Sequence, residues 1–168
     1  QSVVSRSADP VEALVVSVTK FHAGDAYNII SESAEIAGTV RTLNKSLAAL
    51  AEKRIREICA GLAAASGATI EVDYDANYPV TVNDPVQTDF AGDVAAAIAG
   101  EAGVVRSVPP LMAGEDFSYM LEARPGAFIF IGNGNSAMLH HPAYDFNDEA
   151  IPHGVSYWVR LAETALAA

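Results

Sequence analysis

The segment MLHHPAYDFND, residues 138–148, places two of the chain's four histidines side by side and directly before a proline. Imidazole ligates metals and moves protons near neutral pH, so the pair could serve a metal centre or could simply decorate a surface loop. Adjacent residues in an extended segment point their side chains in opposite directions. At most one of His140 and His141 is therefore expected to bind a given ion. Pro142 favours extended backbone at His141, stiffening the loop and helping to fix the direction of His140. A hydrolytic metal centre takes about three protein ligands and an open position for water. No second segment of this chain has convincing ligand spacing, so the co-ligands of either histidine would lie elsewhere.

The remaining polar candidates are more ambiguous. His22 could bind a ligand, donate to an oxyanion or cap a turn. Glu115 and Asp116, like Asp148 and Glu149, could begin helices, where carboxylates are favoured by the positive end of the dipole. His153 reads as structural, and Cys59, at an apolar spacing within a predicted helix, reads as a buried thiol. A Gly-x-Ser-x-Gly elbow, a glycine-rich phosphate loop and a paired-histidine zinc motif are all absent from the sequence, which removes those catalytic classes.

These residues need elements to position them. The run ALVVSVT (13–19) and the segment AEIAGTVRT (34–42) read as strands. In the second, Ala34, Ile36, Gly38 and Val40 share one face and Glu35, Thr39 and Arg41 the other, which leaves Arg41 free to meet a ligand or solvent. The connection KFHAGDAYNIIS carries His22, Tyr27 and Asn28 through a Gly24-Asp25 turn. A helix follows, capped by Asn44 or Ser46, with Leu47, Leu50, Ile55, Ile58 and Leu62 on one stripe and Ser66-Gly67 at its end. The alternating TIEVDYD and the shorter YPVTV are expected to be strands.

Asp84 and Pro85 then open another helix, with Val86, Phe90, Val94 and Ile98 at four-residue steps. VVRSVPP is expected to be extended, MAGEDFSYML to be a loop entering a short helix, and AFIFI to be a strand buried on both faces. A last helix should turn Ile151, Val155, Trp158, Leu161 and Leu166 inward. A domain boundary is expected near residue 84, giving 1–84 as strands with one helix packed on a sheet and 85–168 as part of an α/β layer.

Composition sets outer bounds. The net charge of −11 over 168 residues opposes binding to nucleic-acid phosphates and anionic membranes, and no apolar run approaches the ~18 residues that a membrane span requires. One cysteine excludes an internal disulfide framework and any multi-cysteine zinc site. The opening QSVVSRSADP has neither an initiator methionine nor a signal pattern. It reads as the last turn of a helix running into a loop, so the chain is expected to begin inside a larger protein.

Several strings, HAGDAYNII, GTVRT, GEDFSYML, PGAFIFIGNG and LHHPAYDFNDEAIPHG, resemble in order and spacing the C-terminal part of the metal-dependent amidohydrolases. That aminoacylase-type peptidase family includes hippurate hydrolase, auxin-conjugate hydrolases and N-acetyl-diaminopimelate deacetylase. The resemblance runs over essentially the whole chain. It implies an α/β fold in which 1–84 is an α+β lid and dimerisation domain, incomplete at its N-terminus, and 85–168 is the last segment of an α/β catalytic domain.

The resemblance makes His140, directly after leucine in the LHxP motif, a metal ligand and gives His141 the variable place. It makes Asn28 and Arg41 the holders of a substrate carboxylate and, less specifically, aligns Gly114 and Glu115 with a substrate-side loop; His22 joins them as a substrate-side candidate. AYNIIS departs from the family's AYNVIP at Ile29 and Ser31, which weakens the loop's rigidity and keeps Asn28. Two divalent ions (zinc, manganese or cobalt) per complete site, a small N-acyl amino acid substrate, a homodimer formed through the lid and a cytoplasmic location are what the family implies. Its catalytic glutamate and remaining ligands have no counterpart here, so no catalytic residue is assigned and the chain alone is expected to be inactive. The alternative is a non-catalytic dimerisation or binding module derived from the same scaffold.

Overall fold

A computed structural model describes residues 1–167. It is a mixed helix and sheet structure with one small antiparallel sheet, and it separates into two compact units. The first comprises Gln1–Val80 with Pro110–Glu115; the second comprises Thr81–Pro109 with the chain from Asp116 onward.

In the first unit a π-helical turn, Val3–Ser7, leads into a ribbon of β1 (Leu14–Ala23) and β2 (Ala34–Thr42). Their register pairs Leu14 with Thr42, Val15 with Arg41 and Val18 with Gly38, then slips by one residue so that Phe21 meets Ile36 and His22 meets Glu35. The bulge at Thr19 repairs the side-chain alternation. Strict period two would put Lys20 and His22 on the face of Leu14, Val16 and Val18. After the slip Phe21 and Ala23 continue that apolar face, and His22 joins Arg41 on the polar one. Gly38 is required at this point, because a Cβ there would lie 2.1 Å from the carbonyl oxygen of Ser17.

Helix α1 (Lys45–Ser66) follows from local chemistry. The Asn44 side chain accepts from the Ser46 N–H at 2.9 Å, and Gly67 ends the helix in the left-handed region with its N–H bonded to the Ala63 carbonyl. Leu47 and Ala51 are buried against Val3 and Leu14, with Leu50, Ile55, Ile58, Val16 and Val40 packed around them. Leu62, expected on the same stripe, is exposed, and Cys59 is half-buried. The core thus covers only the Leu14/Thr42 end of the ribbon, and Val18, Phe21 and Ile36 lie exposed beyond it.

Two strand expectations fail in the same way. TIEVDYD and YPVTV form no ladder among the described residues, because alternation selects a face but a strand also needs a neighbouring backbone to bond. The alternation survives as burial: Val72 and Tyr74 are half-buried between exposed Glu71, Asp73 and Asp75, and Arg56 donates to the Val72 carbonyl.

In the second unit, α2 (Pro85–Ala99) starts on Asp84, whose side chain accepts from the Gln87 N–H, and Pro85 fills the first turn. α3 (Phe117–Ala123) is short, and α4 (Ala150–Leu166) packs on α2. The AFIFI segment is not a strand either. Asn83 takes the place of a ladder partner, its amide donating to the Phe128 carbonyl at 2.9 Å and accepting from the Phe128 N–H at 2.8 Å. Phe130 and Ile131 are exposed rather than buried.

The inward face of α4 also differs from expectation. Tyr157 is buried, with Ala150, Gly154 and Leu161 half-buried at helical spacing, while Ile151, Val155, Trp158 and Leu166 are exposed. Ile131 lies against α4 at Gly154, where a Cβ would make an ordinary contact at 3.4 Å. No described helix is long and apolar enough to cross a membrane.

Candidate functional site

The sequence-predicted residues divide between the two units. His22, Asn28, Arg41, Gly114 and Glu115 lie in the first, and His140 lies in the second.

On the polar face of the ribbon, Arg41 is exposed and donates from Nη1 to the carbonyl of Met112 at 2.6 Å. That bond ties the segment Pro110–Glu115, and with it Gly114 and half-buried Glu115, to the end of β2. It uses one of the five N–H donors of the guanidinium. The segment lies beside Tyr78, whose ring a Cβ at Gly114 would meet in ordinary contact at 3.4 Å.

His22 shares the face of Arg41 but sits opposite Glu35, six ladder positions along β2. At about 3.4 Å per residue that is ~20 Å, too far for both to touch one small ligand in this conformation. Its Nε2 lies 3.5 Å from Asp25 Oδ1, an ion pair only when the imidazole is protonated. Asn28 is exposed in the connecting loop, beside the open hollow lined by Tyr27, Ile29, Ile30 and Ser31. Next to His22, Lys20 holds Glu35 at 2.7 Å. That hydrogen bond and the ammonium charge, aided by His22, keep the Glu35 carboxyl below its ordinary range against a small opposing burial effect.

The histidine loop departs from the extended form expected of it. Met138–His141 is a β-turn closed by the His141 N–H on the Met138 carbonyl at 3.1 Å. His140 occupies its third position at φ 67°, a left-handed conformation that a non-glycine residue rarely adopts. A second turn, His141–Tyr144, follows with Pro142 at the favoured second position.

The two imidazoles are chemically unlike. His141 Nδ1 accepts from the Ala143 N–H at 3.0 Å, so the neutral ring carries its proton on Nε2 and has no lone pair left for a metal. Neither ring nitrogen of His140 has a hydrogen-bond partner among the described residues, and the residue is exposed. His140 therefore fits a metal as a single donor. Among the described residues no group of three or more His, Cys, Asp or Glu could hold an ion, so these residues form no closed cage by themselves.

Sequence reasoning passed over the roots of this loop. Asn133 donates from Nδ2 to the Asp145 carbonyl at 2.7 Å and to Ser136 Oγ at 2.8 Å, and its Oδ1 accepts from the Asn147 N–H at 2.8 Å. Asn147 in turn accepts from the Glu149 N–H at 3.0 Å, at the start of α4. Neither residue is singled out by the sequence. The signal available was the capacity of an asparagine amide to donate and accept at once.

Comparison with known proteins gives these geometries a context. Residues 3–164 match the model of Peptidase family M20/M25/M40. The chain is 40% identical over 162 residues to hippurate hydrolase of Campylobacter jejuni, covering 96% of this chain and 42% of that protein. It is 36% identical over 157 residues to N-acetyldiaminopimelate deacetylase of Streptococcus suis, covering 92% and 41%. Among solved structures it superposes with a TM-score of 0.74 and 34% identity on a dinuclear metal-binding peptidase of the M20 family from Bacillus subtilis, covering 92% of this chain and 42% of that one. The chain thus spans about two fifths of the length of the curated relatives it matches. Motifs, fold and similarity over nearly the whole chain agree that it belongs to Peptidase family M20/M25/M40.

Proposed function

We propose that this chain is the C-terminal portion of a metal-dependent amidohydrolase that cleaves the amide bond of an N-acyl amino acid or a related small conjugate. The observation that carries the reading is the contrast at the histidine pair: of the two, only His140 keeps an available lone pair, in a chain similar over nearly its whole length to hippurate hydrolase and N-acetyldiaminopimelate deacetylase. When bound, a divalent ion (zinc, manganese or cobalt, two per complete site) supplies water activation and carbonyl polarisation.

In this reading His140 contributes one donor to that centre. Arg41 contributes a planar N–H fork and Asn28 an amide donor to the substrate carboxylate, groups geometrically suited to it; the two lie towards opposite ends of the ribbon, so one copy in this conformation does not bring both to the same carboxylate. Gly114 and Glu115 line the substrate side of the segment that Arg41 anchors, and His22 lies on the same sheet face further out. The remaining ligands and the proton-transferring glutamate come from parts of the enzyme outside these 168 residues. The first unit acts as the lid, through which two copies pair.

The test is metal content and turnover of the full-length gene product loaded with zinc, manganese or cobalt. His140→Ala is expected to lose bound metal and more than about 100-fold in hydrolysis of N-acyl amino acids. His141→Ala is expected to retain its metal. Equal retention of metal in both variants would reject the assignment, and the non-catalytic dimerisation module would then be the better description.

A further inference from the structure

We infer that Asn133 is a positioning residue that fixes the loop carrying His140, an inference resting on the reading of His140 as a metal ligand. The loop leaves the fold at Asn133 and rejoins it at Asn147, where α4 begins, and His140 lies midway between them. In a loop whose ends meet, the residue furthest from both roots moves most when the roots part. Apolar packing does little to hold this loop, since Met138, Leu139 and Phe146 are all exposed.

Hydrogen bonds hold it instead, in two tiers. The successive turns at Met138–His141 and His141–Tyr144, with the His141 ring on the Ala143 N–H, shape the tip. At the base, the Asn133 amide reaches across to the returning arm twice, to the Asp145 carbonyl and the Asn147 N–H. Asn147 passes the constraint to α4 through the Glu149 N–H. Asn133 thus fixes the loop to a helix already packed on α2, although its own side chain is bonded to neither histidine. The left-handed backbone of His140 gives this anchoring a purpose. Such a conformation persists only where the surroundings over-determine it, and a ligand must be held within a few tenths of an ångström to meet an ion.

The experiment is a cobalt(II) titration of the full-length gene product, following the visible ligand-field spectrum and the dissociation constant, with circular dichroism as the check on folding. Asn133→Ala is expected to weaken cobalt binding about tenfold and alter the spectrum while the helices remain intact. Ser136→Ala, which spares both bonds across the base, is expected to match wild type. Should Asn133→Ala fail to fold, Asn133→Asp serves in its place: it keeps the acceptor for Asn147 but sets a carboxylate against the Asp145 carbonyl, and the same weakening is expected.

His140→Ala, run in parallel, separates the two ideas. Wild-type affinity and spectrum in the Asn133 variant, with binding weakened in His140→Ala, overturn the role of Asn133 and leave His140 standing. Unchanged binding in His140→Ala overturns the ligand assignment and this inference with it. A loss in Ser136→Ala equal to that in Asn133→Ala would also overturn the inference.

Discussion

At the scale of single residues, electrostatics on the ribbon offers a direct check. The Glu35 carboxyl is held below its ordinary 4.5 chiefly by the Lys20 hydrogen bond and charge. Because the folded value is depressed, the stabilisation it brings is present above the unfolded value and is lost as the pH falls through the lowered folded value. The sensitive window therefore lies below about pH 4.5. In Lys20→Met the carboxyl 13C titration of Glu35 is expected to move upward, toward 4.5. A midpoint that stays where it was would place the cause elsewhere. The pair is exposed, so the effect belongs in the titration rather than in global stability. The histidine pair teaches a complementary lesson: the two residues look equivalent in LHHP, and the Ala143 N–H is what removes the lone pair of one of them.

At the scale of elements, the bulge in the ribbon decides which side chains share a face. The period of two in AEIAGTVRT predicts the faces of β2 correctly, whereas the same rule applied to β1 past Val18 would assign His22 to the apolar side. The slip is invisible in LVVSVTKFHA because any of several residues could be the extra one. Gly38 was its one trace, and only the approach of the Ser17 carbonyl explains it. Gly38→Ala should force the strands apart at this point and cost about 1–3 kcal/mol in urea unfolding. An unchanged midpoint would mean that the ribbon relaxes without loss. The helices were more legible, since Asn44, Gly67, Asp84 and Pro85 act within a turn of themselves.

At the scale of the whole molecule, the two units have separate interiors, one around Leu47 and Ala51 and one containing Ala91, Val94 and Tyr157. Leu47→Ala should therefore destabilise by about 2–4 kcal/mol and raise amide hydrogen exchange within residues 1–80, while the segments 81–109 and 116–166 keep their protection. Uniform acceleration along the chain would show that the units unfold as one.

The sequence by itself determined the capped helices and the motif in which His140 follows Leu139, because each is written in residues within a few positions of one another. The tertiary structure alone decided which apolar runs became strands. TIEVDYD and AFIFI carry the right side chains, but a ladder needs a second backbone, and among the described residues AFIFI is met instead by the amide of Asn83. It also decided that Tyr157 rather than Trp158 turns inward, since neighbouring residues on a helix point about 100° apart and only the position of α2 selects between them. The clasp of Asn133 on Asn147 belongs to the same class, because the two residues meet only when the loop between them has closed.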